Sequence, residues 1–195
     1  MPNDKGKRVK RFGFVVAAAA ALAAGLVAAG TAVAKEDSLN PVVDLPDGGK
    51  TQEGSKNEDG KWMLPDGSPT YRVNKDNMLD WYTYSGFRRY HSECHVCHGP
   101  EGEGSTYAPG LVESLKTMTY SDFVGVVASG RIRNAGGTEF VMPALGDNKN
   151  VMCYIDDMYV YLKARAQGVV ARGRPVGRDD KPPRAVKYDK ECFGE

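Results

Sequence analysis

The sequence predicts an all-α domain, and three observations predict it. Apolar residues recur at steps of three and four along two stretches, one beginning near Asn77 and one running from about Val151 to Ala166. No alternating strand pattern of useful length appears, and there is no internal repeat. Between the periodic stretches lie Gly-rich loops, 99–110 and 134–150.

Residues 1–34 read as an address. Lys5, Lys7, Arg8, Lys10 and Arg11 form a positive cluster, an Ala/Val/Leu run follows from Phe14 to about Ala29, and Ala32-Val33-Ala34 supplies a small-x-small cleavage pattern. This is the layout of a secretory signal peptide, cleaved after Ala34 and directing the chain to the periplasm. Phe12 to Ala34 holds 23 residues without a charge, so a retained anchor is the other reading and the one route to membrane contact. Alanine contributes little to insertion, which favours cleavage. The segment has no Arg-Arg pair, which points to general secretion.

Residues 35–76 are dense in Gly, Pro, Asp, Asn and Lys, with turn signals at Pro46-Asp47-Gly48-Gly49 and Pro65-Asp66-Gly67. They are expected to form an irregular N-terminal extension. A helical domain is expected over residues 77–166. In it Leu79, Tyr82, Gly86 and Tyr90 share one helix face, and Ile155, Met158, Tyr159 and Leu162 share another. A shorter helix is expected from Ser121 to Ser129, capped by Thr119 or Ser121. Residues 167–195, rich in Gly, Arg, Pro and Lys, read as a C-terminal tail.

Charge excludes one class of partner. The chain has 26 basic and 25 acidic side chains, without the basic excess of a nucleic-acid binder. Charge is nevertheless uneven: residues 91–162 carry a net −5, and the chain from Lys163 onward a net +4. Only roughly 37 % of residues 35–195 are apolar, thin for a globular domain. Such a chain needs something besides its own side chains to build a core.

Cys94-His95-Val96-Cys97-His98 has the pattern C-x-x-C-H, the attachment signature of c-type haem. Two thiols on one helical turn can each form a thioether to a haem vinyl group, and the next residue, His98, can reach the iron. A redox-active dithiol would belong beside a βαβ unit, and no such pattern is present. A zinc site shared with Cys153 and Cys192 would lack the close spacing of a second half-site.

One covalent haem needs a sixth ligand or leaves a position open. His91 and His95 flank the attachment turn and cannot reach the opposite face, so methionine is the natural candidate. Met142 lies in a loop 44 residues after His98, with Pro143 behind it favouring an extended backbone. A loop methionine packed on the core is the alternative. His98 and Met142 together would favour ferrous iron and close the position where a substrate would bind.

On these residues the chain resembles a class I cytochrome c over roughly 77–166. Gly86 and Tyr90 stand eight and four positions before the first cysteine, where that family crosses its C-terminal helix, here Met158, Tyr161 and Leu162. The resemblance implies a fold of helices around one covalently bound haem. It also implies that Pro109, in Pro109-Gly110-Leu111, orients the His98 ring through its carbonyl. Residues 82–91 (YTYSGFRRYH), residues 148–157 (NKNVMCYIDD) and the Gly173-Arg174-Pro175 tail resemble, more narrowly, the four-cysteine cytochromes of methanol metabolism. That narrower resemblance implies an electron acceptor of a pyrroloquinoline-quinone-dependent methanol or alcohol dehydrogenase, in particular the lanthanide-using kind.

Cys153 and Cys192 remain. In an oxidising periplasm they most simply form a disulfide that ties the tail back, with two free thiols as the alternative. The expected function is a monomeric, non-enzymatic one-electron carrier between that dehydrogenase and another cytochrome or an oxidase. A haem-based gas sensor, which would need Met142 absent or displaceable, and a carrier for another respiratory branch are the competing readings.

Overall fold

The computed structural model describes residues 40–194. The predicted signal peptide lies outside them. Among the described residues no helix is long and apolar enough to cross a membrane.

The all-α expectation is overturned, because the fold is mixed α and β. Six short strands precede the first helix: β1 (Val42–Asp44), β2 (Lys50–Gln52), β3 (Lys56–Glu58), β4 (Lys61–Met63), β5 (Pro69–Thr70) and β6 (Arg72–Val73). They form two three-stranded antiparallel sheets, ordered β1-β2-β6 and β3-β4-β5. The segment expected to be irregular is thus a pair of small sheets. Strands of two or three residues are too short to show a period of two, and β3 is exposed throughout.

Turn chemistry builds these sheets. Asp47 accepts the Gly49 N–H inside the first turn, and Asp66 accepts the Ser68 N–H in a later one. Asp59 and Gly60 both take positive φ, 54° and 88°, the backbone that a two-residue hairpin between β3 and β4 requires. Thr51, Gln52, Thr70, Tyr71 and Val73 are buried. The Tyr71 hydroxyl donates to the Gln167 side chain, and the Gln52 and Gln167 amides both donate to the Asn40 carbonyl, fastening the first sheet to the helical part.

The helices follow: α1 (Trp81–Glu93), α2 (His95–His98), α3 (Leu111–Ser114), α4 (Tyr120–Ser129), α5 (Lys149–Met152), α6 (Ile155–Ala166) and α7 (Pro183–Phe193). Asp80 caps α1 by accepting the Tyr82 and Thr83 N–H groups, and Thr119 caps α4 through the Asp122 N–H. Helix α1 lies across α6, whose residues are buried almost all round. Gly86 makes the crossing possible: a Cβ there would stand 1.8 Å from the Asp157 carbonyl oxygen and 2.9 Å from the Tyr161 Cβ. Tyr90 meets Tyr161 four residues later, with ring centres 5.8 Å apart.

Two further elements depart from the expectations. The loop expected over 134–150 begins inside a hairpin, β7 (Arg131–Ala135) and β8 (Thr138–Met142), turned by Gly136 and Gly137 at positive φ. The expected tail ends in α7, opened by a proline at its first position. A Cys153–Cys192 disulfide ties α7 to α5, with Cα atoms 6.0 Å apart, and Phe193 packs on Tyr154 at 6.0 Å between ring centres.

Candidate functional site

Helix α1 ends at Glu93, and Cys94, at φ −119°, separates it from the single turn of α2. That turn presents Cys94, Cys97 and His98 together. Cys94 and Cys97 are both free thiols. Cys94 is half-buried with its Sγ 3.7 Å from Met158 Sδ, while Cys97 is exposed. Burial pushes the Cys94 thiol up to about 12. A reactive dithiol needs a thiolate stabilised near neutral pH, so this environment argues against redox exchange.

The His98 ring is buried, and its Nδ1 stands 2.9 Å from the Pro109 carbonyl oxygen. A carbonyl can only accept, so Nδ1 carries the proton and Nε2 keeps its lone pair. The loop from Gly99 to Gly110 is folded to place that carbonyl. The Gly104 N–H donates to the His98 carbonyl at 2.7 Å, and the Tyr90 hydroxyl donates to the Gly99 carbonyl at 2.5 Å. Two unpaired thiols on one turn, beside an imidazole with one free lone pair, fit the donor set of a covalently attached haem.

Met142 is the last residue of β8, half-buried and packed against the core. Its position is fixed from two sides. The Leu145 and Gly146 N–H groups donate to the Val127 and Ala128 carbonyls, both at 3.0 Å, holding the segment after Met142 on the end of α4. Gly130, at φ 74°, lies so close that a Cβ would meet the Met142 carbonyl oxygen at 2.6 Å. By register Met142 pairs with Arg131, and Phe140 pairs with Arg133, whose guanidinium lies over the Phe140 ring.

Sequence reasoning missed Gly130 and the hydrogen bond of the Tyr90 hydroxyl as parts of this neighbourhood. The hairpin had a readable signal: two glycines between segments carrying Ile132 and Val141 mark a two-residue turn.

No family model matches the chain. It is 51% identical over 136 residues to cytochrome c-553I of Paracoccus denitrificans, a match covering 70% of this chain and 60% of that protein. It is 42% identical over 105 residues to cytochrome c-555 of Methylococcus capsulatus, covering 53% of this chain and 76% of that protein. Among solved structures, the c-type cytochrome XoxG from Methylobacterium extorquens AM1 matches with a TM-score of 0.67 at 55% identity, covering 71% of this chain and 85% of that one. With the attachment turn in place and this identity over most of a relative's length, the chain belongs to the c-type cytochromes, electron-transfer proteins that carry covalently bound haem c.

Proposed function

We propose that this cytochrome is a periplasmic one-electron carrier that accepts electrons from a quinoprotein methanol or alcohol dehydrogenase and passes them to another cytochrome or an oxidase. Cys94 and Cys97 would hold the haem through thioethers, and His98 and Met142 would bind its iron. The bound haem supplies a one-electron ferrous/ferric couple. Pro109 positions the His98 ring by accepting a hydrogen bond from its Nδ1–H, which fixes the ring and raises the basicity of Nε2. Met142 favours the ferrous state and keeps other ligands out.

The observation that carries the reading is the His98–Pro109 hydrogen bond beside two unpaired thiols on the same turn. The dehydrogenase assignment is supported by the resemblance of residues 82–91, 148–157 and 173–175 to cytochromes of methanol metabolism. The periplasmic assignment is supported by the layout of residues 1–34.

Visible spectra of the haem-loaded protein, oxidised and reduced, with and without carbon monoxide, test the ligand set beside a Met142→Ala variant. The expected result is a spectrum indifferent to carbon monoxide, with a far-red sulfur–iron band that the variant lacks. A carbon monoxide shift in the unmutated protein would replace the carrier with a gas-binding protein. Reduction by a purified quinoprotein methanol dehydrogenase tests the donor, and failure to be reduced would remove that assignment.

A further inference from the structure

His91 and His95 have no part in the reading above, and their geometry is that of a chelating pair. They stand four residues apart on either side of Cys94, one near the end of α1 and the other opening α2. The His91 Nδ1 lies 2.7 Å from the Phe87 carbonyl oxygen, and the His95 Nδ1 lies 2.5 Å from the His91 carbonyl oxygen. Both acceptors are carbonyls, so both Nδ1 atoms carry the proton and both Nε2 atoms keep a lone pair. A ring N–H donated to a backbone carbonyl is how metal-ligating histidines are ordinarily held.

The spacing agrees. The two rings lie within 26° of parallel, with centres 5.8 Å apart. With metal–nitrogen bonds of about 2.1 Å, two imidazoles on one ion have ring centres roughly 4.5–6.4 Å apart. His91 packs against Phe87 at 4.5 Å and Tyr90 at 5.2 Å between ring centres, which holds its ring in place. Both histidines are half-buried, leaving each open to solvent on one side.

We propose that His91 and His95 bind one divalent transition-metal ion, with water completing its coordination, and that the ion clamps α1 to α2 across Cys94. No group of three or more His, Cys, Asp or Glu side chains that could hold a metal occurs among the described residues, so the protein supplies two ligands. Imidazole suits Cu²⁺, Ni²⁺ and Zn²⁺, and Cu²⁺ binds such a pair most tightly.

The test titrates the oxidised, haem-loaded protein with Cu²⁺ by calorimetry and records the copper paramagnetic resonance spectrum. The expected result is one ion per chain with hyperfine coupling to two nitrogens. His91→Gln and His95→Gln should each weaken binding at least about tenfold. In the same samples Zn²⁺ should raise the unfolding midpoint of the parent protein and leave that of either variant unmoved. Absence of saturable one-to-one binding, or an affinity in either variant equal to the parent's, overturns the proposal. Should a variant fail to fold, the parent spectrum decides, since coupling to fewer than two nitrogens also overturns it.

Discussion

Gly86 has no side chain because the Asp157 carbonyl oxygen occupies the place: a Cβ on Gly86 would lie 1.8 Å from it. Alanine is a better helix former than glycine by about 1 kcal/mol, yet here the backbones would have to separate. Gly86→Ala is expected to destabilise the haem-loaded protein by about 3 kcal/mol net, read from the denaturant midpoint. An unchanged or raised midpoint would show that the crossing can relax.

Gly130 and Met142 are coupled in a similar way. Gly130→Ala would place a methyl against the Met142 carbonyl and force a left-handed backbone on alanine. The expected outcome is a weakened far-red sulfur–iron band and new sensitivity to carbon monoxide, with the thioether linkages intact. A spectrum like the parent's would mean that the hairpin absorbs the methyl without moving Met142.

Asp157 predicts a pH dependence. Burial holds its carboxyl at about 7, against an ordinary 3.8, while a hydrogen bond from Ser85 and the charge of Lys61 pull the other way. The folded state therefore keeps a proton that the unfolded chain has released. The stability this supplies is complete below about pH 4 and is lost as pH rises through about 7. Asp157→Asn should narrow the difference between urea midpoints at about pH 5 and about pH 8. An equal difference in the variant would place the dependence elsewhere, for instance on Asp80, whose burial shifts it in the same direction.

The Cys153–Cys192 bond closes a separation of 39 residues. On the chain-entropy estimate such a loop stabilises by about 4 kcal/mol. Cys192→Ser is expected to lower the unfolding free energy by an amount approaching that, with helix α7 the first segment to lose amide protection. Thiol titration of the denatured haem-loaded protein should find no reactive thiol in the parent and one in the variant.

Charge predicts a rate effect. Residues 91–162 carry a net −5 and the chain from Lys163 onward a net +4, an asymmetry that orients a docking partner. Reduction by the donor should slow as ionic strength rises and screens it. A rate independent of salt would point to an apolar contact, for which the exposed Ile132 and Val141 of the hairpin are available.

What the sequence made legible follows from the length of each signal. Helices α1 and α6 carry a 3.6-residue stripe for three turns or more, and Gly86 and Tyr90 fall on the crossing that the family resemblance implied. The attachment turn is local, so five consecutive residues announce it. The strands β1 to β6 are too short for any period to emerge, and Thr51, Gln52 and Thr70 are buried polar residues that composition assigns to the surface. Their burial is explained only by partners distant in sequence, such as the Thr70 hydroxyl on the Gln52 side chain. Helix α7 was hidden because its docking depends on a disulfide and on Tyr154, which no window around residues 183–193 contains.

The partition of the four cysteines also has a consequence in time. On the proposed reading two thiols serve a foreign group, while Cys153 and Cys192 cross-link the chain to itself, and any exchange between the pools would spoil both. Cys97 precedes Cys192 by 95 residues, so the attachment turn exists long before the second disulfide partner does. Synthesis proceeds from the N-terminus, and segments that are complete can act first. Of the second pair only Cys153 can compete for Cys94 and Cys97 during that interval, and it sits 56 residues beyond the attachment turn. The order of residues along the chain thus sets the attachment turn ahead of the completed second cysteine pair in synthesis.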